Sequence, residues 1–299
     1  MLARLQQALV LGWLVALVAA GVWPWRAGHP GWAVAAVALV LVSHALWLGV
    51  TFALMRWRNR RDPAPPASRA QWLAAWWGEV RAAPRVFGWR QPFRSWAEPD
   101  FVPAEAPGRR GVVLVHGFVC NRGLWTPWLT RLRVAGVPFV AVNLEPVFGS
   151  IDDYVPIVEA AVRRLEQTTG ERPILVGHSM GGLAIRAWLA RYDADARVAG
   201  VITIGTPHRG TWLASLAHLG INAQQMRPGS DWLRALEAAE PAARRARLLC
   251  LYSHTDNIVF PASNALLPGA RRQHVAATAH IELVHRPEVM APLWQALGR

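Results

Sequence analysis

Six residues, Gly177-His178-Ser179-Met180-Gly181-Gly182, offer the clearest chemistry in the chain. They follow a short apolar run, Ile174-Leu175-Val176, and open a helical pattern from Met180 to Arg191. A serine at the tip of a sharp strand-to-helix turn exposes its hydroxyl in a strained backbone conformation, and Gly177 and Gly181 leave room where a side chain would strike the turn. The start of the helix supplies unpaired N–H groups and the positive end of its dipole, both suited to a developing oxyanion. This is the equipment of a nucleophile in acyl transfer. A second oxyanion donor must come from another loop, and His116-Gly117-Phe118 follows the apolar run Val112-Val113-Leu114-Val115. The backbone N–H groups of Phe118 and Met180 are therefore the expected oxyanion hole. His116 is expected to shape its loop rather than act as base. Together with Gly117, His178 and Trp212 it is also expected to line the substrate site.

These residues need a scaffold that brings loops together. Val112–Val115, Val137–Val142, Ile174–Val176, Val198–Ile204 and Leu248–Tyr252 are short apolar runs of the kind that form central parallel strands, buried on both faces. Helical patterns lie between or after them, over Trp125–Ala135, Asp153–Gln167, Met180–Arg191 and Glu288–Leu297. Strands alternating with helices predict an α/β fold with a mostly parallel, doubly wound sheet. Its sites lie beyond the carboxyl ends of the strands.

Val115-His116-Gly117-Phe118, Val176-Gly177-His178-Ser179-Met180-Gly181-Gly182 and Gly205-Thr206-Pro207-His208-Arg209-Gly210-Thr211 resemble the α/β-hydrolase superfamily, and within it bacterial triacylglycerol lipases and related acylhydrolases. The resemblance runs from Gly111 to the C-terminus, about two thirds of the chain. It implies the α/β-hydrolase fold and a triad in the order serine, acid, histidine. Asp256, in the loop after Leu248–Tyr252, matches the acid position; Asp231, before that strand, is its rival. His280 follows a last strand over Arg272–Ala276 in a small-residue, histidine, apolar context and matches the general base. His285 is the runner-up, His274 is structural, and His208 and His254 lie near the site. The segment Thr211–Arg245, opening with Trp212–Leu219, is either an acyl-binding wall or lid, or an ordinary connection.

The front of the chain differs in kind. Ala8–Trp25 and Gly31–Met55 are apolar runs without a charged residue. The second would extend roughly 37 Å as a helix, enough for a tilted crossing of the bilayer core. Residues 1–61 are expected to form a transmembrane hairpin with Trp23, Trp25 and Trp32 at its turn. The first run also has the shape of a cleavable signal peptide. Arg56, Arg58, Arg60 and Arg61 follow the second run, which predicts a multi-pass protein of the cell inner membrane with its C-terminal part in the cytoplasm. Residues 62–107 hold a proline-rich stretch and then Trp72, Trp76, Trp77, Trp89 and Trp96 among arginines, either a membrane-surface segment or a cap on the next domain. Residues 108–299 form the hydrolase domain.

The net charge of +13 arises from 32 basic residues against 19 acidic, and every basic residue is arginine. No basic stripe is interleaved with a nucleic-acid motif, so no nucleic-acid partner is expected. Hydrophobic residues at 53% and charged residues at 17% exclude intrinsic disorder, and two cysteines exclude a disulfide scaffold. No C-x-x-C, H-E-x-x-H or phosphate loop appears, so neither metal nor cofactor is expected. The expected function is a serine ester hydrolase acting on hydrophobic acyl esters, including lipids, through an acyl-enzyme. A thioesterase or acyltransferase on the same triad is one alternative. A peroxidase-like or other non-hydrolytic use of the fold is a second, and a membrane-anchored interaction protein with an idle triad is the third.

Overall fold

A computed structural model of the protein describes residues 1–104, 106–217 and 220–299. Six strands build one sheet: β1 (Val112–Val115), β2 (Phe139–Ala141), β3 (Ile174–His178), β4 (Gly200–Ile204), β5 (Leu248–Tyr252) and β6 (Arg271–His274). Their order is β2-β1-β3-β4-β5-β6, and every neighbouring pair is parallel. The chain first steps from β1 to β2 and then returns to the other side of β1 for β3. The order therefore reverses at β1 and β3, and the crevice beyond the carboxyl ends of these two strands is where such sheets hold their sites.

The apolar runs became strands because both sheet faces are covered. Val113 and Val115 point into one core, with Val158, Val162, Ile185 and Trp188. Val112 and Leu114 point into the other, with Trp125, Trp128, Leu129 and Leu293. Fully burying each such aliphatic side chain contributes about 1.5–3 kcal/mol, so a strand of four gains most from the central position. β6 is the exception. It is an edge strand whose Arg271 and Arg272 are exposed, and it starts one residue before the expected Arg272. The helices Thr126–Val134, Val155–Thr169, Met180–Tyr192 and Pro287–Ala296 match the sequence patterns with small shifts at their ends.

The core also holds a buried ion pair. Arg186 donates to both carboxylate oxygens of Glu240, at 2.9 and 2.6 Å, with both side chains fully buried. It also donates to the carbonyl of His208 at 3.1 Å. Glu240→Ala strands the guanidinium without a counter-charge and is expected to cost about 3–5 kcal/mol. Chemical denaturation of the purified variant checks this.

Ahead of the sheet, α1 (Leu2–Arg26) and α2 (Pro30–Arg58) pair as an antiparallel hairpin. Both are long and apolar enough to cross a membrane, and little of either span is buried within the protein. Then α3 (Arg69–Ala83) begins at a reciprocal cap between Ser68 and Gln71 and runs into a π-helical turn, Pro84–Arg90. One face of this segment packs inward through Ala75, Glu79, Ala82 and Val86, while Leu73, Trp77, Trp89 and Trp96 face outward. Arg122 anchors its end: the buried guanidinium stacks on Trp96 at 4.1 Å, pairs with Asp100 at 2.8 Å and donates to the carbonyl of Glu98.

Candidate active site

Ser179 sits between the end of β3 and the helix Met180–Tyr192, with φ 54° and ψ −128°. That region is costly for a residue with a Cβ and persists only where the surroundings enforce it. Here the enforcement is close approach. A Cβ at Gly181 would lie 2.2 Å from the carbonyl oxygen of Val115, and one at Gly177 would lie 2.6 Å from the amide nitrogen of Gly182. The loop after β1 lies directly on the serine: a Cβ at Gly117 would stand 2.7 Å from the Ser179 Cβ and 3.2 Å from its Oγ. Met180 is the first helical residue, so its N–H has no partner within the helix. Among the described residues the Phe118 N–H has no acceptor.

Asp256 and His280 meet across the ends of β5 and β6. The Asp256 Oδ2 lies 2.8 Å from His280 Nδ1, and both residues are buried. The other oxygen, Oδ1, accepts the N–H groups of Ile258 at 2.9 Å and Val259 at 2.8 Å, which fixes the carboxylate plane. Burial opposes a charge on His280, but the Asp256 carboxylate, with a smaller contribution from Glu79, raises its pKa above the ordinary histidine value. The backbone beneath is held as well. Asn257 Oδ1 accepts the His280 N–H at 3.3 Å, and Thr255 Oγ1 donates to the Thr278 carbonyl at 3.0 Å.

The rivals lie elsewhere. Asp231 is almost fully exposed and paired with Arg234. His285 stands 3.4 Å from Arg90, and burial followed by the charge of Arg90 brings its pKa down to about 4. His178 packs against the His280 ring at 4.6 Å and donates from Nε2 to the His280 carbonyl at 3.2 Å. Burial, followed by the neighbouring His280, pushes its pKa well below the ordinary histidine value. His116 lies buried at the start of the loop after β1. Its Nδ1 donates to the Gly117 carbonyl at 2.9 Å, its Nε2 accepts the Leu144 N–H at 3.0 Å, and burial brings its pKa down to about 4. Both ring nitrogens are thus engaged by main-chain groups. Trp212 stacks near Phe260 and Trp57, and Arg58 lies 5.2 Å over its ring. Its segment is tied down by backbone bonds from Thr211 to Met226 and from Trp212 to Phe260. His218 and Leu219, within the segment expected to form a wall or lid, lie outside the described residues.

The sequence reading missed Glu79. Its carboxylate reaches from α3 and accepts the N–H groups of Ile281 at 3.1 Å and Glu282 at 3.0 Å, directly after His280. Burial raises its pKa to about 7 against the lowering effect of those hydrogen bonds. Glu79 is the only acidic residue between Asp62 and Glu98, and that isolation in an arginine-rich stretch was the available signal. A negative Glu79 stabilises protonated His280, so removing that charge favours the neutral imidazole. Glu79→Gln is therefore expected to move the acid limb of kcat/KM to lower pH. It should also reduce kcat about threefold to tenfold, because an amide is a poorer acceptor for these N–H groups than a carboxylate. Parallel pH–rate profiles of the two proteins check both effects, and an unmoved limb separates Glu79 from His280.

Residues 112–297 match the alpha/beta hydrolase family. A probable esterase, PIR7A, from Oryza sativa subsp. indica is 27% identical over 128 residues, 40% of this chain and 45% of that protein. The chain thus spans about half the length of the curated relatives it matches. Among solved structures, the mature lipase BlEst2 of Bacillus licheniformis is 21% identical with a TM-score of 0.56, covering 65% of this chain and 95% of that one. Lipase B of Aspergillus fumigatus is also 21% identical, with a TM-score of 0.58 over 69% of this chain and 57% of that one. At these identities the likeness is one of fold.

Proposed function

Because the chain belongs to the alpha/beta hydrolase family, we propose that it is a serine ester hydrolase acting on hydrophobic acyl esters, lipids among them. The observation that carries this reading is the Asp256–His280 pair at 2.8 Å, together with a serine held at φ 54° on the turn after β3. In the proposed cycle His280 Nε2 removes the Ser179 proton as Oγ attacks the ester carbonyl. Asp256 holds the proton on Nδ1 and stabilises the imidazolium. The N–H groups of Phe118 and Met180 receive the oxyanion, and the protonated His280 then gives its proton to the departing alcohol. Water activated by the same histidine cleaves the acyl-enzyme and restores Ser179. The esterase and lipase names of the relatives agree with this chemistry. A fluorophosphonate probe tests it: labelling must occur, and must be lost in Ser179→Ala. Labelling at another residue refutes the assignment.

The hairpin supports a place of action at a membrane. α1 and α2 are read as spans of the cell inner membrane, with the hydrolase domain on the cytoplasmic side, where the Arg56–Arg61 cluster holds it. A reporter pair fused after Arg299, one active only in the periplasm and one only in the cytoplasm, is expected to give the cytoplasmic signal. A periplasmic signal alone sinks this topology.

A further inference from the structure

The C-terminal part of α2 and the start of α3 meet the hydrolase domain at the loops that carry Asp256 and His280. Just past the end of α2, Asn59 donates to the His254 carbonyl at 3.2 Å and accepts the Ala262 N–H at 3.2 Å, and Asp62 accepts from the N–H and hydroxyl of Ser263. The Asp256 loop is thus held on both flanks from outside the domain. Phe52 and Met55 of α2 and Ala75 of α3 are buried in one cluster with Phe260 and with Ala279, the residue before His280. His280 opens the short helix His280–Leu283, so the first N–H groups of that turn have no partner within it. Asn257 takes the one on His280, and Glu79 of α3 takes those on Ile281 and Glu282.

Resting on the serine-hydrolase reading, we propose that Thr51 of the apolar helix α2 is a positioning residue of the hydrolase, acting through Asn257 on His280. Ser43 and Thr51 carry the hydroxyls of the run 31–55; Ser43 is exposed, whereas Thr51 is buried at the foot of the helix. The Thr51 hydroxyl donates to the Leu48 carbonyl at 2.9 Å and accepts from Asn257 Nδ2 at 3.3 Å. Asn257, fully buried, turns its Oδ1 to the His280 N–H at 3.3 Å. With its proton given to Leu48, Thr51 can only accept from Asn257, and this selects the orientation of the amide. Turned the other way, the amide would set its NH₂ against the His280 N–H, donor facing donor. Asn257 also follows Asp256 directly in the chain, so one side chain ties α2 to both members of the Asp256–His280 pair. Without an acceptor at position 51 the buried NH₂ must seek another partner, and the His280 backbone moves with it. The angle at which the ring meets Asp256 Oδ2 then changes. The apolar hairpin in this way contributes to the active machinery besides anchoring it.

The experiment uses the full chain in detergent micelles and follows labelling of Ser179 by a fluorophosphonate, a reaction that draws on the same base whatever the natural ester. Thr51→Val keeps the shape of the side chain and removes the hydroxyl. It is expected to lower the maximal labelling rate about tenfold while the half-saturating probe concentration stays within about twofold, because the base is misplaced and the probe site is not. Thr51→Ser restores the hydroxyl and should label within about twofold of the wild-type rate. Asn257→Ala should lose about tenfold or more by itself, and Thr51→Val should add nothing in that background, since the contact it removes is already gone. A wild-type maximal rate in Thr51→Val, an equal loss in Thr51→Ser, or losses that add in the double variant each overturn the role of Thr51, as does a change confined to the half-saturating concentration. If a thermal melt shows that Thr51→Val does not fold, Thr51→Ala enters the same cycle under the same criteria. Each of these results leaves the serine hydrolase standing. A wild-type protein that is not labelled removes that reading and this proposal with it.

Discussion

Ser179→Ala is expected to reduce ester hydrolysis by about 10⁴-fold or more while leaving the protein folded. The loss is large because the proposed reaction runs through a bond to Oγ, and neither His280 nor the oxyanion donors can replace it. The fold should survive because the turn does not depend on the hydroxyl. The positive φ at Ser179 is imposed by the approach of Gly181 to the Val115 carbonyl and of Gly177 to Gly182. Alanine bears the same backbone strain as serine, and its smaller side chain still fits beneath Gly117. The checks are turnover of a chromogenic ester and a thermal melt of each purified protein. Activity above a few hundredths of wild type would remove Ser179 from the proposed role.

How far these features could be read from sequence depended on where each interaction partner lay. The runs at Val112 and Ile174 declared themselves because a strand buried on both faces must be continuously apolar. β6 did not, since as an edge strand it carries Arg271 and Arg272 in solvent and its run is not continuously apolar. Position after a strand picked Asp256 over Asp231 and His280 over His285, and the structure brings the chosen pair within hydrogen-bonding distance. The contacts of His116 were not legible because its partners are main-chain groups. Nothing in the letters around Leu144 shows that its N–H will occupy the ring Nε2. Glu79 was hidden for the same reason, with its acceptors filled by amides some 202 residues away in the chain. Hydrophobic periodicity reports burial, whereas polar contacts to distant backbone leave no pattern.

Asp256→Asn is expected to cost about 10³–10⁴-fold in kcat, and the two oxygens of Asp256 explain why so small a change should matter. Oδ1 accepts the N–H groups of Ile258 and Val259, whereas Oδ2 faces His280 Nδ1. An asparagine must keep its only oxygen where two amides donate, so its NH₂ turns toward the histidine. His280 then accepts at Nδ1 and carries its proton on Nε2, the nitrogen that should take the serine proton. The base is disabled by its tautomer while the geometry stays nearly native. Asp231→Asn offers the contrast, because that carboxylate is exposed and among the described residues pairs only with Arg234; its activity should stay within about twofold, as for most surface substitutions. Turnover of both variants, with fluorophosphonate labelling rates, checks the pair. Full activity in Asp256→Asn, or loss only in Asp231→Asn, would show that the short contact to His280 does not set the tautomer on which the proposed mechanism depends.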